Sequence, residues 1–171
     1  MKIAIIGTHF SGKTELVDEL HRLLTRKGRK IAKVTEVVRK CPLPVNTMTT
    51  FDAQKWILAQ QIREEIEASG RSEIVLSDRS VIDNYIYMMR GFPEQARAFL
   101  PLVLEHGRTY DYIFKTTPHE TEIAADGFRD TDPVFRREIE DMLSAFLKEH
   151  GIKVHEIPQD NQAEFVINTV S

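Results

Sequence analysis

Eight residues near the N-terminus have the types and the spacing to hold a polyphosphate. Gly7-Thr8-His9-Phe10-Ser11-Gly12-Lys13-Thr14 fits the pattern G-x-x-x-x-G-K-[ST] at every fixed position. Gly7 and Gly12 permit a tight turn and a close backbone approach, so that successive N–H groups form a nest around phosphate oxygens. A helix that starts here would point the positive end of its dipole at the same place. Lys13 then neutralises the β- and γ-phosphates, and the Thr14 hydroxyl is placed to ligate Mg²⁺. Background residue usage makes a chance match about a one-in-two-hundred event for a chain of this length. The loop therefore predicts binding of a nucleoside triphosphate. His9 is expected to contribute its backbone N–H rather than its ring.

Further groups suited to phosphoryl transfer follow other short apolar runs. Thr35-Glu36 ends the second run, with Arg39 one turn on, and Asp78-Arg79-Ser80 ends the third. Phosphoryl transfer needs a carboxylate near the metal, a group that orients or deprotonates the acceptor, and cations on the moving phosphoryl. Glu36 is the candidate for the acceptor-facing carboxylate. Asp78 is read as a metal carboxylate or as the N-cap of the segment that follows it, and the two roles are compatible. Arg39 and Arg79 are each able to fork onto an anionic acceptor; as surface ion pairs they would contribute little. Phe51, Gln54, Trp56, Asp83 and Tyr87 are candidates for an acceptor pocket, although Phe51 and Trp56 read more readily as core.

These residues need a scaffold that brings strand ends together, and the hydropathy pattern supplies one. Short apolar runs at 2–6, 31–34, 74–76, 110–114 and 152–157 read as buried strands. They alternate with helical patterns at about 12–27, 52–69, 80–90, 96–104 and 133–150. On the helix at 52–69 the apolar face is expected to carry Leu58, Ile62 and Ile66. Pro101 implies a kink. Asp132-Pro133 reads as an N-cap followed by proline at the first helical position. Strands alternating with helices predict a three-layer α/β fold, a five-stranded parallel sheet with helices on both faces. In such sheets ligands bind at the carboxyl ends of the strands, where the loop, Glu36 and Asp78 would converge. The polar stretch at 118–132 reads as a loop or mobile flap.

Absent strings narrow the class. The chain has neither N-K-x-D with D-x-x-G, expected of switch GTPases, nor L-S-G-G-Q, expected of transporter ATPases. With the loop and the Asp78-Arg79-Ser80 strand end, the chain resembles the P-loop kinase superfamily, nearest to its nucleoside- and nucleotide-kinase branch. That branch includes thymidylate kinase, deoxynucleoside kinases, the ribosylnicotinamide kinase domain and related AAA-type ATP-binding domains. Ser77-Asp78-Arg79-Ser80 is similar to the branch's D-R-x motif, and Glu36-x-x-Arg39 resembles its E-x-x-R. Asp126-Gly127-Phe128-Arg129, followed by Arg136 and Arg137, resembles an arginine-bearing lid. The resemblance implies ATP and Mg²⁺ as cofactors, with Lys13, Glu36, Asp78, Arg79 and Arg129 in catalysis. It implies Thr14 and Asp78 at the metal, and Glu36, Arg39 and Arg79 at a small acceptor, most simply a nucleoside or nucleotide. Glu36 favours a hydroxyl acceptor, and the two arginines favour an anionic one. The alternative reading is an ATP-binding switch domain with weak hydrolysis and a protein partner.

Composition fits this reading. The chain has 171 residues, a formal net charge of −3, 42% hydrophobic residues and one cysteine, Cys41. That is enough for one P-loop kinase-like domain over 1–171, with a lid near 118–132. The charge balance argues against a nucleic-acid partner. No apolar run approaches a membrane span, and a lone thiol without a secretory leader points to the cytoplasm.

Overall fold

A computed structural model describes residues 1–9, 11–45, 48–117 and 133–170. Its centre is a five-stranded, all-parallel sheet in the order β2-β3-β1-β4-β5. The strands are β1 (Lys2–Ile6), β2 (Ile31–Val34), β3 (Ile74–Asp78), β4 (Tyr112–Lys115) and β5 (His155–Glu156). The helices are α1 (Lys13–Arg26), α2 (Phe51–Ser69), α3 (Val81–Gly91), α4 (Pro93–Ala96), α5 (Leu100–Gly107), α6 (Pro133–Glu149) and α7 (Gln162–Val170). The α/β reading of the sequence is correct.

β1 shows why the sheet needs cover on both faces. All five of its residues are buried. Ile3 and Ile5 pack with α1 residues Leu16 and Leu20 and with α7 residue Val166, while Ala4 and Ile6 pack with α3 and α6 residues such as Ile82 and Leu143. The register sets Ile5 of β1 against Asp78 of β3, so the two strands end level beside the phosphate loop.

Four expectations change. The fifth strand is shorter than the run at 152–157. The Ile152 N–H donates to the Leu147 carbonyl at the end of α6, His155 and Glu156 pair with β4, and the Ile157 N–H donates to the Lys115 carbonyl just beyond the strand. Pro101 produces no kink, because a 3-10 turn at Arg97–Phe99 ends the preceding segment and α5 restarts with the proline in its first turn. A first-turn proline loses no helical hydrogen bond. On α2, Ile66 is exposed, and the buried stripe includes the polar Gln54, Gln61 and Glu65. Ser80, not Asp78, caps α3. The stretch 118–132 that the sequence suggests as a lid, with Asp132 and Arg129, lies outside the described residues. No helix among the described residues is long and apolar enough to cross a membrane.

Candidate functional site

The phosphate loop joins the end of β1 to the start of α1. Gly7 has φ 137° and Gly12 has φ 74°, conformations that favour glycine. A Cβ on Gly7 would meet the Thr116 hydroxyl oxygen at 2.5 Å, so this position also lacks room for a side chain. The Gly7 N–H donates to Asp83 Oδ1 at 3.0 Å. The Ser11 hydroxyl donates to the Thr8 carbonyl at 2.8 Å and lies 2.7 Å from Thr116 Oγ1. Thr8 is buried, and its hydroxyl has no hydrogen-bond partner among the described residues. Phe10 lies outside the described residues.

Lys13 is buried and folds back over its own loop. Its ammonium donates to Ser11 Oγ at 3.0 Å and to the Thr8 carbonyl. Burial lowers its pKa from 10.5 to about 7, assisted by the Arg79 guanidinium and opposed by Asp83, Asp78 and Glu36. A polyphosphate in the loop would supply the negative charge that this ammonium lacks.

The Thr14 hydroxyl donates to Asp78 Oδ2 at 2.7 Å. A hydroxyl and a carboxylate within one hydrogen bond, beside a phosphate loop, form a hard-oxygen donor set suited to Mg²⁺. That ion is commonly held by one or two protein oxygens together with substrate phosphates and water. The residues present fit the metal.

Arg79 follows Asp78 with φ 77°, an uncommon conformation for a residue with a Cβ. It turns the other way. Its Nε and Nη2 both donate to Glu36 Oε1 at 2.9 Å, while Arg39 Nε donates to Glu36 Oε2 at 2.9 Å. Glu36 and Arg79 are buried, whereas Arg39 is about half exposed. The Arg79 Nη1 is buried with no hydrogen-bond partner among the described residues. Asp78 and Arg79 therefore join two clusters across one peptide bond. One faces the loop and the other surrounds Glu36.

The proposed pocket residues separate. Tyr87 belongs beside the site: its ring lies 5.3 Å from the Arg79 guanidinium, and its hydroxyl lies 3.2 Å from His9 Nδ1. The His9 ring is thus engaged, a contact that the expected backbone role does not require, and lies 5.8 Å from Phe135 of α6. Asp83 is committed to structure. Its Oδ2 accepts from the Ser80 N–H and hydroxyl at 2.9 and 2.8 Å, and the Ser80 hydroxyl accepts from the amides of Ile82 and Asp83. The serine followed three residues later by an acid was a legible signal for this reciprocal cap. Phe51 packs edge-on to Phe99 and near Phe92, and Trp56 packs against the buried cluster that holds Val34, Val37 and Ile57, so both serve the core. The Gln54 amide donates to Thr49. Arg136 and Arg137 lie near the start of α6.

A protein-family model described as "AAA domain" matches residues 2–164. The chain belongs to this family. No curated protein matches its sequence. Among solved structures, this AAA domain is similar to NadR protein in complex with NR (TM-score 0.77, 20% identity), over 99% of this chain and 50% of that one. It is similar to deoxyadenosine kinase from M. mycoides with bound dATP (TM-score 0.71, 18% identity), over 99% and 98% of the two chains. Thymidylate kinase from Ehrlichia chaffeensis gives a TM-score of 0.70 and 16% identity over 100% and 98%. The chain thus spans half of NadR and nearly all of the two kinases. The fold is that of the P-loop nucleoside and nucleotide kinases.

Proposed function

We propose that this chain transfers the terminal phosphoryl group of ATP, with Mg²⁺, to a small acceptor, most simply a nucleoside or nucleotide. One observation carries the reading. Neighbouring residues at the end of β3 serve two sides: Asp78 meets Thr14 at the nucleotide loop, and Arg79 meets Glu36 on the other side. A site that only held a nucleotide would not need the second cluster. The kinase-like fold and the family add support.

In this reading the loop amides and Lys13 bind the β- and γ-phosphates. Mg²⁺, held through Thr14 and Asp78, supplies charge neutralisation at the phosphoryl oxygens. The acceptor oxygen bonds to the γ-phosphorus as the bond to the β,γ-bridging oxygen breaks, and ADP leaves with that electron pair. Glu36 orients the acceptor and, where this is a hydroxyl, takes its proton. Arg39 and Arg79 hold Glu36 in place and present positive charge to an anionic acceptor, while Arg129 is the lid cation. The partner is a small molecule, with no nucleic acid or membrane, and the reaction is cytoplasmic.

ADP release from Mg-ATP across nucleosides, nucleoside monophosphates and similar metabolites tests the proposal, with a no-acceptor control and Lys13→Ala. A large acceptor-dependent rise that disappears in Lys13→Ala is expected. Slow turnover that ignores every acceptor would favour an ATP-binding switch with a protein partner.

A further inference from the structure

Behind the site lies a buried polar cluster that the mechanism does not use. Glu65 of α2 is fully buried, and its two oxygens face donors from several elements. Oε1 accepts from Gln61 Nε2 at 2.8 Å, Tyr110 Oη at 2.9 Å and Ser77 Oγ at 3.0 Å. Oε2 accepts from His106 Nε2 at 2.8 Å and Lys2 Nζ at 3.3 Å. The Tyr110 hydroxyl also accepts the Val81 N–H at 3.0 Å.

Ser77 immediately precedes Asp78-Arg79-Ser80, and Val81 immediately follows it. One buried carboxylate therefore holds both flanks of the tripeptide: Ser77 directly, and Val81 through Tyr110. The tripeptide needs such support. Arg79 sits at φ 77°, and a non-glycine residue keeps a conformation of this kind only where its surroundings fix it. Asp78 and Arg79 point to opposite clusters, so a small rotation of this turn would disturb both.

We infer that Glu65, acting through Ser77 and Tyr110, is a positioning residue that fixes the Asp78-Arg79 turn and thereby sets the affinity of the nucleotide site for Mg²⁺. This rests on the reading of Thr14 and Asp78 as the metal side of that site. None of the cluster's residues is among those assigned to the nucleotide, the metal or the acceptor. Its effect is to hold Asp78 where Thr14 can share it.

The test is Mg²⁺ titration of the full chain with a fluorescent ATP analogue, set beside analogue affinity in EDTA and thermal unfolding. Tyr110→Phe leaves the Val81 amide without its acceptor. It should raise the Mg²⁺ concentration for half-saturation roughly tenfold, as loss of an outer support commonly does. Affinity in EDTA should stay within about twofold, because Lys13 and the loop amides remain. Should Tyr110→Phe fail to fold, Ser77→Ala removes the other flank with the loss of one hydroxyl. Leu143→Ala, on the buried face of α6, is the control for general destabilisation: it should lower the melting temperature and leave the Mg²⁺ response unchanged. A folded Tyr110→Phe or Ser77→Ala protein with the wild-type Mg²⁺ response overturns the positioning role. So does an equal shift in Leu143→Ala. Wild-type nucleotide binding that ignores Mg²⁺ overturns the metal reading, and the positioning role falls with it.

Discussion

Lys13 carries a measurable consequence of its burial. Its pKa is lowered to about 7 from 10.5, first by desolvation and then by Arg79. Between those two values the unfolded chain holds a proton that the folded chain lacks, so this group makes stability rise with pH across that window and adds no further pH dependence below it. A bound triphosphate favours the charged ammonium and reverses the shift. At pH 8, ATP binding should therefore take up most of one proton, and affinity should fall as pH rises above 7. Calorimetry in two buffers of different ionisation enthalpy reads the uptake directly, and Lys13→Met should abolish it. A wild-type uptake of zero would mean that Lys13 is already charged before ATP binds or that it does not meet the phosphates. The residue types at this site were legible because the loop has fixed spacing and Glu36, Asp78 and Arg79 end apolar runs. Their partners were not. Nothing in spacing told that Arg39 and Arg79 would share Glu36, or that the His9 ring would meet Tyr87, since those pairings depend on how β2, β3 and α3 are set against the loop.

At the level of elements, Asp83 couples the turn from β3 into α3 to the backbone of the phosphate loop. Asp83 accepts the Gly7 amide and closes the reciprocal cap with Ser80. Ser80→Ala removes only the cap hydroxyl and should cost about 1 kcal/mol in urea unfolding. Asp83→Ala also leaves the buried amides of Gly7 and Ser80 without acceptors, at roughly 1–3 kcal/mol for each such group. It should therefore be the more damaging change, and it should weaken nucleotide binding where Ser80→Ala does not. Equal effects of the two variants on binding would show that the Gly7 tie is dispensable. Strands and helices were largely legible from periodicity, yet α2 shows the limit of that signal. Its inward stripe contains Gln54, Gln61 and Glu65, so apolar spacing points to the exposed Ile66 instead. A helix that buries polar side chains against matching partners leaves no hydropathy trace.

Across the whole molecule, Glu65 ties α2 to β1, β3, α5 and the loop before β4, which makes it the place where acid should act on the fold. Its carboxyl is held below the usual range. Burial pushes upward, but the hydrogen bonds from His106, Gln61 and Tyr110 and the charge of Lys2 together outweigh it. A carboxyl with a depressed folded pKa contributes stability in full above its unfolded value, and loses it as pH falls through the folded one. Unfolding by urea should thus show an acid limb below about pH 4.5, the ordinary value for this group. Glu65→Gln offers an amide N–H₂ to surroundings made almost wholly of donors, and it strands Lys2 without its anion. Breaking a buried pair in this way costs about 3 kcal/mol at neutral pH, or roughly 10 °C in melting temperature for a chain of this size. The gap between wild type and variant should narrow as the pH drops, because protonation removes from the wild type the same charge that the substitution removes. A gap that stays constant from neutral to acid pH would mean that the Glu65 charge contributes nothing and that its shape alone holds the five elements together.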